Sequence, residues 1–136
     1  MSNKSMGTDY EVALARALSD KGFWVHLLQA NRAGQPADII AAKNGKAFLI
    51  DSKVCSTDKG FALSRIEDNQ RYAMKLWENC GNGTAFFALW LNEDDVFFFP
   101  ASTLVMLRKY HKTALPPKDI ISYGFTLEEW VRMYAY

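Results

Sequence analysis

The chain has 136 residues, 49% hydrophobic and 23% charged, with a formal net charge of +1. That composition is expected of one globular domain, residues 1–136, with a single substantial core. It excludes a disordered chain and an acidic mimic of DNA. A balance so near neutrality leaves any nucleic-acid contact to a local basic patch.

Two widely spaced cysteines, Cys55 and Cys80, and two histidines, His26 and His111, lack the spacing of a zinc site. The cysteines read as reduced thiols. Met1 to Gly7 is polar with no signal core, and no apolar run reaches membrane-spanning length. The expectation is a soluble protein of the cytoplasm, nucleoid-associated or phage-encoded within a host, with no membrane partner.

In chain order, Thr8 or Asp9 caps a first helix that runs to about Lys21 and stops at Gly22. Tyr10, Leu14, Ala15, Ala17 and Leu18 form its apolar arc, and Glu11 falls inside that arc. A carboxylate there has two readings: a first-turn acid favoured by the helix dipole, or a site residue. Phe23 to Leu28 alternates as a strand, with His26 packed or at its rim. Gln29 to Gln35 is a polar loop whose Arg32 is a candidate phosphate contact.

The stretch from Pro36 to Lys53 carries the chemistry. Ile39-Ile40-Ala41-Ala42 and Ala47-Phe48-Leu49-Ile50 flank Asn44-Gly45, a strong short-range hairpin signal. Asp38 opens the first strand and Asp51 closes the second, so the hairpin folds one towards the other. Asp51 and Lys53 share a face because side chains alternate. Two acids and an ammonium therefore meet at one end of a sheet beside apolar surface. Such acids repel unless a cation lies between them, and Mg²⁺ takes carboxylate, water and phosphate oxygens. Two readings stand at this point: a metal-dependent phosphodiester hydrolysis site, or a hairpin end with solvated charges and an ion pair.

After Lys53 comes a run from Ser56 to Gly60, with Lys59 within it, and then a second helix from about Arg65 to Asn79. Gln70 shares its inward face with Ile66, Ala73 and Trp77, so its amide needs partners. Arg71, Lys75 and Glu78 lie on the outer face, a solvated surface first and a DNA track second. Thr84–Leu91 and Val96–Phe99 read as a second hairpin closed by Asn92 to Asp95. A third helix follows over Ala101–Tyr110, with Lys109, His111 and Lys112 clustered at its end. Pro116-Pro117 marks a loop, and Thr126 to Glu129 opens a capped terminal helix carrying Trp130 and Tyr134. That last segment is a candidate dimer interface or a lid on the core. The sum is an α/β (α+β) fold with one mixed sheet flanked by helices.

This order, with an acid on helix one and Pro-Ala-Asp…Asp-Ser-Lys on the hairpin, resembles the PD-(D/E)XK nuclease superfamily, and within it the Holliday junction resolvases of RecU type. Phe61-Ala-Leu-Ser-Arg-Ile, Asn69-Gln70, Gly83-Thr-Ala-Phe-Phe-Ala-Leu and Phe97-Phe-Phe-Pro-Ala-Ser extend the likeness over roughly residues 8 to 105. The second acid is Asp51 where Glu is commoner, a reach shorter by about 1.5 Å. No long insertion of the kind RecU-type proteins place at the junction centre is evident. The resemblance implies a restriction-endonuclease-like core in αβββαβ order. It implies that Asp38 and Asp51, with the Ser52 carbonyl, hold Mg²⁺ or Mn²⁺. Glu11 acts directly or through water, Lys53 orients water and offsets phosphorane charge, and Gln70 supports Lys53 or the scissile phosphate. The expected activity is a metal-dependent, structure-selective DNA endonuclease. Its expected partner is branched or junction DNA, met by Arg32, Lys59, Arg65, Arg71 and Lys75. Two symmetric cuts imply a homodimer. Two other readings keep the fold: a phage or mobile-element nuclease on linear, nicked or foreign DNA, and an inactive module that binds or inhibits another nucleic-acid enzyme.

Overall fold

A computed structural model describes residues 3–28 and 36–136, and the Arg32 expectation lies outside them. Five strands form one mixed sheet in the order β1-β2-β3-β5-β6, namely Trp24–Leu27, Ile39–Lys43, Lys46–Val54, Phe86–Trp90 and Val96–Pro100. Neighbours pair antiparallel except β3 with β5, which run parallel with Asp51 opposite Phe87. The crossover between those two strands carries helix α2, Asp68–Asn79, as parallel neighbours require. The Asn44-Gly45 turn does what its sequence demands. Asn44 has φ 54 and Gly45 φ 78, the left-handed pair of a tight hairpin turn.

Both faces of the sheet are buried, so β5 reads as continuous apolar sequence rather than as an alternation. One face packs Leu14 and Leu18 of α1 (Asn3–Asp20) and Trp130 of α5 (Leu127–Tyr134) against Ile50, Phe86 and Phe98. The other packs Met74 of α2, Leu104 of α3 (Ala101–Lys109) and Ile120 of α4 (Pro117–Tyr123) against Leu49, Phe87 and Phe99. This is the mixed sheet flanked by helices that the sequence order implies.

Several local expectations change. Helix α1 begins at Asn3, so Glu11 sits in its interior, beyond the first turn where the dipole would favour it. Helix α2 begins at Asp68, because Leu63–Arg65 closes a 3-10 turn and Ile66 and Glu67 are extended before it. The Pro116-Pro117 loop is short: Pro117 opens α4, a position where the missing N–H costs nothing. Phe61–Ala62 (β4) pairs with Ala114–Leu115 (β7) in a second small sheet. There Gly60, at φ 79, leaves no room for a Cβ, which would stand 2.1 Å from the Leu115 carbonyl oxygen. The terminal helix opens with the Thr126–Glu129 capping box, but Trp130 is wholly buried and stacks on Phe98 at 4.6 Å. It caps the core and presents no ring to a partner.

Candidate active site

The site forms where β2 begins and β3 runs on past it, paired there with β5 alone, between α1 and the first turn of α2. Asp38 precedes β2. Its N–H donates to the Ile50 carbonyl and its own carbonyl accepts from Leu28 N–H. With the ladder ended there, the next strand amide, Ser52 N–H, donates to Asp38 Oδ2 at 2.8 Å instead. Alternation sends Ile50 towards α1 and Asp51 and Lys53 towards α2, where Gln70 Nε2 donates to Asp51 Oδ1 at 2.9 Å. Lys53 Nζ stands 3.1 Å from Asp51 Oδ2. From the opposite face, Glu11 lies one turn before Leu14 on the sheet-facing stripe of α1 and hydrogen-bonds Asp38. The five side chains expected to meet, Glu11, Asp38, Asp51, Lys53 and Gln70, do meet.

Electrostatics sets the character of this cluster. Asp51 is 2% exposed. Burial first, and the neighbouring Asp38 second, push its pKa up to about 8, with Lys53 opposing. Glu11, half-buried, is raised to about 7 by desolvation and then by Asp38. Two carboxyl groups in hydrogen-bond contact need a shared proton or a cation between them. Asp51 Oδ2 is moreover buried and makes no regular hydrogen bond, Lys53 reaching it as an ion pair. Gln70 Oε1 is likewise buried and unbonded. One ammonium serves this whole group of oxygens, and hard carboxylate and carbonyl oxygens suit a hard divalent ion. Among the described residues no three His, Cys, Asp or Glu side chains form a metal cage by themselves. Magnesium does not require one, because it is held by one or two carboxylates together with water and phosphate.

One supporting pair was not foreseen. Trp90 Nε1 donates to Ser52 Oγ at 3.0 Å, and Tyr10 packs on the Trp90 ring with centroids 5.0 Å apart. Together they fix the middle residue of Asp51-Ser52-Lys53. Their only sequence signal is the motif itself, because the parallel register that puts Trp90 there is a long-range property.

The basic residues stand further out. Arg65 Nη1 donates to the Val54 carbonyl at 2.7 Å and lies over Phe61, so it braces the strand that carries Lys53. Lys59 is exposed in the following turn, and Arg71 and Lys75 lie on α2. Cys55 and Cys80 are free. Among the described residues no helix is long and apolar enough to cross a membrane.

The family model for recombination protein U matches residues 30–133. The chain belongs to that family. It is a structure-selective nuclease of the Holliday junction resolvase kind. No curated protein sequence is significantly similar to it. Among solved structures, Hjc from Archaeoglobus fulgidus, a Holliday junction resolvase, superposes with a TM-score of 0.68 at 21% identity, over 90% of this chain and 98% of that one. At that identity the likeness shows a shared fold.

Proposed function

We propose that this RecU-family chain resolves branched DNA as a single domain, by metal-dependent hydrolysis at the Glu11, Asp38, Asp51, Lys53 and Gln70 cluster. The observation that carries the reading is Asp51, almost wholly buried yet aimed at Lys53 and held by Gln70, with Asp38 joining it to Glu11. Burial so opposes the Asp51 charge that ionising it needs compensation beyond Lys53, whose ion pair leaves the second oxygen without a regular hydrogen bond. Asp38 and Asp51, with the Ser52 carbonyl, would hold Mg²⁺ or Mn²⁺, and Glu11 would complete the acidic set. A divalent ion bound there supplies positive charge against the transferring phosphoryl group and makes water more acidic.

The chain's own groups do the rest. Lys53, with its side chain 14% exposed, donates to a phosphate oxygen and offsets the charge that grows there in the transition state. Gln70 fixes the rotamer of Asp51 rather than touching DNA, the kind of outer support that holds a ligand in line. Trp90 does the same for Ser52. Lys59, Arg65, Arg71 and Lys75 would meet backbone phosphates, and with a net charge of +1 this local patch supplies the electrostatic attraction. A two-fold homodimer would place two such sites for the paired cuts.

Labelled four-way junction, flap and linear duplex incubated with and without Mg²⁺ test the reading. Paired nicks near the branch point of the junction, lost in EDTA, are expected. Equal cutting of all three substrates removes junction selectivity, and cutting in EDTA removes the metal. A dimer in sedimentation is expected alongside, and a monomer that still makes paired nicks would exclude the two-fold arrangement.

A further inference from the structure

Helices α2 and α3 run side by side on the outer layer, and a groove of about 420 Å³ separates them. Their pairing is anchored where Arg108 Nη1 donates to the Ile66 carbonyl at 2.8 Å. The groove is lined by Arg71, Tyr72 and Lys75 from α2 and by Met106, Lys109 and Tyr110 from α3 and its end. Tyr72 is 64% exposed and Tyr110 75%, large for tyrosines with no role in the core. The Arg71 guanidinium lies over one side of the Tyr72 ring, 4.6 Å from its centre, which steadies that ring by a cation–π contact. Glu78 is the carboxylate in the lining, and it is engaged by Ala85 N–H at 2.9 Å. Three cations thus face the groove beside two exposed rings, Arg71 also reaching Asp68 in an exposed ion pair at 3.6 Å.

We propose that this groove binds single-stranded DNA, an unpaired segment of the branched substrate. The inference deepens the reading of the chain as a branched-DNA nuclease and rests on it for the identity of the ligand. Charge decides the class of occupant: a cleft with three cations and one committed acid selects a polyanion. The rings decide the kind. A duplex hides its bases, whereas an unpaired strand offers π-faces that stack on tyrosine and on a guanidinium plane, with phosphates left for lysine. The groove is also connected to the chemistry, because Arg71 follows Gln70, the residue that holds Asp51. A strand held along α2 would leave the helix at the turn that faces the acids.

Fluorescence anisotropy of a labelled short oligothymidylate with the full chain in EDTA tests this. The Tyr72→Ala/Tyr110→Ala variant is expected to bind roughly tenfold or more weakly, with Tyr72→Phe close to the parent. Lys109→Ala is expected to lower the slope of log affinity against log salt by about 0.7. Both rings are exposed, so unchanged circular dichroism should accompany the loss, and the single Tyr110→Ala variant is a milder check. Unchanged affinity in the double variant overturns the proposal. So does displacement of the oligonucleotide by an equal concentration of polyglutamate, which would assign the groove to acidic peptides. A shift from dimer to monomer in the double variant would reassign it to a second copy of the chain. Cleavage of a junction with fully duplex arms is expected to persist in these variants. If the parent chain cuts no junction, the resolvase reading fails while the oligonucleotide result stands on its own.

Discussion

Asp51→Asn separates the electrostatic cost of the site from its packing. The substitution keeps the shape and the Oδ1 acceptor for Gln70 Nε2 while removing the charge. The Asp51 pKa rises from 3.8 unfolded to about 8 folded, so the folded state keeps a proton that the unfolded state has lost. Below about pH 4 both states are protonated and nothing is at stake. As pH climbs towards 8 the unfolded chain ionises first, and stability falls through that window. About four pKa steps at roughly 1.4 kcal/mol each set a ceiling of ~6 kcal/mol. The Lys53 attraction is already contained in that pKa, and an amide replaces a carboxyl imperfectly in a packed site, which leaves an expected gain of about 1–3 kcal/mol for the asparagine variant. Urea unfolding in EDTA is the assay. At pH 8 the variant should be the more stable protein, at pH 4 the two should coincide, and Mg²⁺ at pH 8 should stabilise the parent alone. A variant less stable than the parent at pH 8 in EDTA would refute the account of Asp51 as a carboxyl whose ionisation the fold opposes. Cleavage should be abolished in the variant while junction binding survives.

The other predictions concern the supports. Gln70→Leu is expected to lower cleavage about 10- to 100-fold through loss of Asp51 alignment, measured as kcat on junction DNA; unchanged turnover would make Gln70 purely structural. Trp90→Phe removes the donor to Ser52 Oγ and should cost about 1 kcal/mol, with a smaller loss of cleavage than Gln70→Leu in the same assay. Thr126→Ala removes the capping box of α5, far from the acids, and should cost about 1 kcal/mol by urea titration without changing cleavage. Trp130→Ala empties the centre of the α1/α5 core and should cost about 3–5 kcal/mol, so a folded and fully stable variant would contradict the packing described.

The parts of the fold legible in sequence are those fixed by neighbours along the chain. Asn44-Gly45 specifies a turn from two residues, and that turn alone brings Asp38 back to Asp51. Alternation puts Asp51 and Lys53 on one face, and helical spacing puts Glu11 and Gln70 on inward faces. What was hidden depends on distant chain. The parallel β3–β5 pairing and the support of Ser52 by Trp90 follow from how the crossover helix packs. The apolar residues of α5 read equally as lid or interface until Trp130 is seen between Phe23, Phe48, Phe86 and Phe98. Helix starts shifted because nothing local forbids α1 from beginning before Thr8, whereas a 3-10 turn ahead of α2 delays it to Asp68. Arg65 was read for its charge, and its first partner is a backbone carbonyl.

The central claim is that the buried acids and Lys53 form a hydrolytic centre for branched DNA. Its most direct test is a single-turnover cleavage time course on a labelled four-way junction, comparing the parent chain with Lys53→Met in Mg²⁺. The account predicts paired nicks by the parent, and at least a hundredfold slower cutting by the variant with junction affinity retained. Equal rates for the two proteins would contradict it.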